Sequence, residues 1–365
     1  MDMNALMAQQ HLVLWASFLV AALFGFATQR SHFCTMGAIS DIVNMGSWGR
    51  MRMWVLAIGV AAVGFHLLVW QGLVDPSMTI YAGPRIMWLS ALVGGALFGL
   101  GMVLASGCGS KTLVRIGAGS LKSLVVFVVM GVAAYATLRG VTAVLRTETV
   151  DTVALELSAG GAVWQWSAAL GANAPLVGVL IGAALVAWAL SSSESRTASV
   201  WLGGVGVGLS VVLMWWVSGH LGFVAEHPET LESVYLATNS GRIEALTFTA
   251  PMAYTLDWLI LFSDASKKLT LGVVVVLGVV LGGWLSAVLD KSFRWEGFAN
   301  TQDTALHLIG AVLMGVGGVT AMGCTVGQGL SGISTLSLTS AIAIAGIVLG
   351  ALAGLRVQIW LLERE

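Results

Sequence analysis

Charge is what this chain has least of. Of its 365 residues, 17 are Lys or Arg and 18 are Asp or Glu, a tenth in all. A soluble domain carries about a quarter. That leaves too little polar surface to solvate a globule of this length, and argues against a soluble enzyme. The formal net charge is −1, so there is no basic excess to hold nucleic acid. Cysteine is scarce as well. The chain has three, an odd number with no C-x-x-C pair, which argues against a disulfide framework or a zinc site. There is no Walker loop, no Rossmann fingerprint and no Ser/His/Asp arrangement, so no cofactor or metal is expected. The opening MDMNALMAQQH has no basic n-region and no small-x-small cleavage signal. No cleavable signal peptide is expected, and no lipidation motif is evident.

What is there is apolar. Hydrophobic residues make up 57% of the chain, and glycine contributes 46 residues. Small residues let membrane helices approach closely. A bilayer core of ~30 Å needs ~20 apolar residues per helix. Runs of about that length lie near 11–29, 53–73, 87–107, 123–140, 175–190, 200–219, 269–289, 305–322 and 340–362. The pattern predicts an all-α polytopic membrane protein with about nine spans, in one integral domain over 1–365. The run at 175–190 is the shortest. Trp15, Trp54, Trp70, Trp88, Trp188, Trp201 and Trp360 sit near run ends, where amphipathic rings suit the headgroup region.

Nine spans divide the 17 basic residues 11 to 6 between the two sides. The positive-inside rule then places the N-terminus outside and the C-terminus in the cytoplasm. The two long loops, 141–174 and 220–268, fall outside and carry most of the acidic residues, Glu244 among them. Within them, Ala162–Leu170 and Met252–Phe262 are semi-apolar but too short to span.

The chain repeats itself. Gly94–Cys108, GGALFGLGMVLASGC, aligns with Gly310–Cys324, GAVLMGVGGVTAMGC, with eight of fifteen positions identical and a shared Gly-Cys ending. The copies are the third and eighth spans, so an odd separation would run them in opposite directions. That pattern predicts an inverted repeat, with halves near 1–170 and 171–365. The Gly/Ser/Thr-rich stretch after each copy would then be a re-entrant loop, tolerated at membrane depth only where protein or a water cavity covers it.

Cys34, in GFATQRSHFCTMGAISD, lies just after the first span and shares C-T-x-G with Cys324-Thr325-Val326-Gly327. All three cysteines therefore sit at span-to-loop junctions. A neutral thiol is a weak donor and a soft, polarizable acceptor. It suits a sulfur-bearing anion better than a hard oxygen ligand. Disulfide exchange wants a nearby resolving thiol, and none is close in sequence. A soft-metal site would want clustered partners, and none is evident. Lys111 and Arg115 follow Cys108, and Arg30 precedes Cys34. Cations at membrane depth are functional candidates. Short helices starting in the loops could aim N–H groups at an anion. Gly37, Gly107, Gly109, Gly117, Gly119, Gly323, Gly327 and Gly329 are the loop glycines that would permit close approach. His66 and His307 read as helix-packing residues, and Asp41 as a cap or the partner of a loop arginine.

GFATQRSHFCTMGAISD, LASGCGSKTLVRIGAGSLKS and MGCTVGQGLSGIS resemble the YeeE/YedE family of sulfur-transport membrane proteins, over nearly the whole chain. That resemblance implies thiosulfate uptake across the bacterial inner membrane. It implies an hourglass-shaped fold in which re-entrant loops meet, and a three-cysteine relay at positions matching Cys34, Cys108 and Cys324. It also implies a small TusA-like cytoplasmic sulfur carrier as partner. Family members linked to selenium or other sulfur species keep the substrate open. A membrane sulfurtransferase or thiol oxidoreductase is the enzymatic alternative. A scaffold that docks a sulfur carrier, with inert cysteines, is the third reading.

Overall fold

The structure is a computed structural model that describes residues 3–156 and 173–363. The semi-apolar piece Ala162–Leu170 and the expected boundary between halves at 170/171 lie outside the described residues. The long apolar runs are helical because a helix alone satisfies its own backbone hydrogen bonds in an apolar setting. In chain order these are α1 (Met3–Arg30), α2 (Thr35–Met45), α3 (Gly49–Trp70), α4 (Trp88–Leu104), α5 (Gly109–Gly117), α6 (Leu121–Arg139) and α7 (Val141–Glu148). Next come α8 (Ala174–Leu190), α9 (Ala198–Leu221), α10 (Thr249–Ile260), α11 (Leu271–Leu289) and α12 (Thr301–Thr320). The helical segment 325–334, here α13, and α14 (Leu338–Leu362) complete the series. Two antiparallel ladders of two residues each, Arg85–Ile86 with Leu155–Glu156 and Phe223–Val224 with Val234–Tyr235, tie down loops. The chain is an all-α polytopic membrane protein.

Among the described residues, eight helical segments are long and apolar enough to cross a membrane, against about nine expected. The difference is α8, which has 17 residues and a rise of about 26 Å, short of a ~30 Å core. It nevertheless runs antiparallel along α3. Gly182 meets Gly59 and Val63, Gly178 lies against His66, and Arg52 Nη1 donates to the Trp188 carbonyl at 2.9 Å.

Glycine sets the tightest seam. A Cβ added at Gly94 would fall on the backbone of Gly317 and Ala321, and one at Gly101 on that of Gly310. The reverse also holds: Gly310 lies on Gly101 and Ala105, and Gly317 on Gly94 and Phe98. Low numbers on α4 therefore meet high numbers on α12, so the two helices are antiparallel and their C-terminal ends lie at opposite ends of the seam. Gly95, Gly99, Gly346 and Gly350 make a second close seam, between α4 and α14. Side-chain oxygens cap several helix starts: Ser120 accepts from Ser123 N, Asn300 from Asp303 N and Ser337 from Ser340 N. Each such cap contributes about 1 kcal/mol.

Candidate functional site

The three cysteines occupy the same local structure. Each preceding helix ends in a Schellman turn. In α1, Phe33 N–H donates to the Thr28 carbonyl and His32 N–H to that of Gln29. In α4, Gly107 donates to Met102 and Ser106 to Val103; in α12, Gly323 donates to Gly318 and Met322 to Val319. The left-handed residue is not glycine in any of the three: His32, Ser106 and Met322 have φ of 53°, 56° and 58°. Non-glycine residues hold that conformation at a cost of about 1–2 kcal/mol. Two residues later a cysteine precedes the next helix, in extended conformation at Cys34 and Cys108. Cys34 Sγ accepts from Gly37 N at 3.4 Å, and Cys324 Sγ from Gly327 N at 3.4 Å. Cys108 is the N-cap residue of α5, and its Sγ lies 3.3 Å from Ser110 Oγ. Three helix N-termini, each carrying partial positive charge, are thus fronted by thiols.

The turns converge inside the molecule. The Cys34 and Cys108 thiols lie against one another, and Cys324 is a near neighbour of Cys108. The buried Thr325 hydroxyl sits beside the Cys108 thiol. Cys108 and Cys324 are buried, whereas Cys34 is partly exposed. Buried polar contacts fix the turn around Cys324. Gln328 Nε2 donates to the Ala321 carbonyl and its Oε1 accepts from Ser340 Oγ, both at 2.5 Å. The Tyr81 hydroxyl donates to the Gly327 carbonyl at 2.6 Å.

Cys34 opens onto a cavity of about 840 Å³. Arg50, Lys111, Arg115, Lys122, Lys291 and Arg294 line it, against the carboxylates Asp41 and Glu296. Two of the cations are paired: Arg50 Nε lies 3.0 Å from Asp41, and Lys122 Nζ 2.6 Å from Glu296. Lys122 holds the Glu296 carboxyl below its ordinary pKa. The others leave a surplus of positive charge. Arg115 is steered by its bond to the Ser106 carbonyl at 2.8 Å. Arg50 brings a guanidinium nitrogen against Gly37, where a Cβ would strike it.

A second cavity, of about 210 Å³, reaches Met322 and Gly323 beside Cys324. Its charged lining residues are Arg146 and Glu244. The two cavities approach the cysteine cluster from the ends where α4 and α12 respectively finish.

Among the residues singled out from sequence, Cys34, Gly37, Lys111 and Arg115 line the larger cavity. Gly323 lines the smaller one. Gly107 packs on Lys111, Gly109 on Met130, and Gly327 on Thr247. Arg30 instead forms an ion pair with Asp290 at the end of α11. Sequence reasoning missed Arg50 and Gln328. Each is joined to its cysteine turn by a side-chain contact that no spacing rule reveals, although a glutamine in the apolar QGLSG stretch was a signal.

Comparison with known proteins follows the same span. A family described as sulphur transport matches residues 30–353. The thiosulfate transporter TsuA of Escherichia coli (strain K12) is 28% identical over 344 residues, which cover 92% of this chain and 92% of that protein. TsuA of Spirochaeta thermophila is 28% identical over 349 residues, or 93% and 97% of the two chains. The probable transporter YedE of Escherichia coli is 33% identical over 92 residues, a quarter of this chain.

Proposed function

The chain belongs to the sulphur-transport family, and we propose that it takes up thiosulfate by passing the anion between three neutral cysteine thiols. One observation carries this reading: Cys324, Cys108 and Cys34 succeed one another between two cavities that open toward opposite ends of the α4–α12 seam. A dianion stripped of water needs replacement donors. Thiols and helix N-termini supply them without fixed counter-charges that would trap it. The terminal sulfur of thiosulfate is large and polarizable, so S–H···S contacts suit it better than hydroxyl contacts. No covalent bond need form.

The reciprocal glycine contacts of α4 and α12 support reading Gly94–Cys108 and Gly310–Cys324 as an inverted repeat within one integral domain. The excess of Lys and Arg on the side of the larger cavity supports a cytoplasmic face there, in the bacterial inner membrane, with the N-terminus outside. The anion then enters by Cys324 and leaves by Cys34. The cationic cavity is where a TusA-like carrier would receive it.

Reconstituted vesicles taking up labelled thiosulfate test the reading. Cys108→Ala is expected to abolish uptake while the protein still inserts. Cys108→Ser is expected to fail too, since it keeps a hydroxyl donor and loses polarizability. Normal uptake by either variant sinks the relay.

A further inference from the structure

The smaller cavity holds a carboxylate at the point where an incoming anion meets the protein. Glu244 is 9% exposed and lines the cavity that ends at Gly323. One of its oxygens accepts from Ser240 N at 2.7 Å and Ser240 Oγ at 2.6 Å. Its stretch of chain is stapled to the Cys324 turn. Ser218 Oγ donates to the Glu244 carbonyl at 2.5 Å, Ser331 Oγ to the Leu246 carbonyl at 2.7 Å, and Thr247 packs on Gly327. The carboxylate therefore cannot swing aside with a loop.

The groups around it do not neutralise it. Arg146 of α7 shares the cavity, but its Nε lies 3.4 Å from Asp151, which in turn accepts from Ser90 Oγ. Arg242, on the same loop as Glu244, turns to the Ala82 carbonyl at 2.9 Å. Among the described residues the phenols of Tyr254 in α10 and of Tyr81, which precedes α4, also lie near it, and neither is a cation; Arg139, at the end of α6, lies beside Tyr254. Burial pushes the Glu244 carboxyl above its ordinary pKa, against the hydrogen bonds from Ser240 and Asn239.

We propose that thiosulfate enters this cavity together with a proton bound by Glu244, so that uptake is linked to the acidity of the side it comes from. The inference rests on the transport reading above. An ionised Glu244 repels a dianion at short range in a place where water screens poorly. A protonated one removes that repulsion and offers an O–H donor. By reciprocity the bound anion raises the proton affinity of Glu244, and the proton raises the affinity for the anion. The cationic cavity at the other end needs no such proton.

The test is initial uptake of labelled thiosulfate into oriented vesicles, with the smaller cavity outward, the membrane potential clamped and the inner pH fixed. Outer pH is varied from the carboxylate range to above neutrality. Wild-type uptake should fall as outer pH rises, approaching about tenfold per unit above the Glu244 pKa. Glu244→Gln should transport with a flat profile, and Glu244→Asp should keep the dependence. Three results overturn the inference: a flat wild-type profile, an unchanged slope in Glu244→Gln, or no uptake by Glu244→Gln at any pH, which assigns the residue a structural role. Absence of wild-type uptake at every pH instead overturns the transport reading itself.

Discussion

The two mouths of the molecule differ in size, charge and access to sulfur. On the Cys34 side a cavity of about 840 Å³ exposes part of a thiol beneath a surplus of cations. On the Cys324 side a cavity of about 210 Å³ stops short of a fully buried thiol and carries one paired arginine and one carboxylate. A wide cationic cavity attracts many anions and discriminates little. A narrow one with little net attraction would admit, in the proposed route, only what the thiols behind it can solvate. In that route selection and collection would thus be separated, with the cysteines between them.

Removing each outer thiol should separate the two mouths most strongly. Cys324→Ala should cut uptake about a hundredfold, since a dehydrated anion loses a partner worth ~2–3 kcal/mol with nothing to replace it. Cys34→Ala should cost only about tenfold, because water and nearby cations reach that position. Initial rates in vesicles read both, and equal losses would erase the distinction between the mouths. A smaller effect should follow from Arg294→Gln. It should raise KM about two- to threefold for transport running from the cationic side and weaken its salt dependence, with kcat little changed. The same variant should leave transport from the Cys324 side untouched.

The smallest effect concerns stability. Glu296 is held below its ordinary pKa by Lys122. Its stabilising contribution is therefore present above the unfolded carboxylate pKa of about 4.3, and is lost as pH falls through the lower folded value. The pair is partly exposed, so screening keeps the contribution below ~1 kcal/mol. Glu296→Gln should lower the melting temperature near neutrality by a degree or so and remove that part of the acid sensitivity. A melting temperature unchanged at every pH would show that the pair does not stabilise the larger cavity.

Much of this architecture is legible in the linear chain because it depends on local rules. Apolar runs mark the long helices, and the repeated Gly-Cys endings mark two of the turns. The 175–190 run stands out as short for the same reason that α8 is. Other features depend on what meets across the fold. Arg50 lies over Gly37 only because α2 and α3 fold back on each other. Gln328 braces the Cys324 turn through Ser340, twelve residues on. The left-handed positions themselves, His32, Ser106 and Met322, are not glycine, so the usual sign of such a turn is missing. The ion pair of Arg30 with Asp290 joins the ends of two helices far apart in sequence.

The α4–α12 seam has one more consequence. Gly101 and Gly317 touch the opposite helix, and each lies seven residues before its cysteine. The seam is therefore a gauge. Sliding one helix past the other by one turn would shift the heights of Cys108 and Cys324 relative to each other by about 5.4 Å. Two neighbouring thiols would become two isolated ones. Backbone contacts at Gly94, Gly101, Gly310 and Gly317 leave no slack for that slip. In the proposed relay, the distance between two successive thiols is thus fixed by residues that have no side chain.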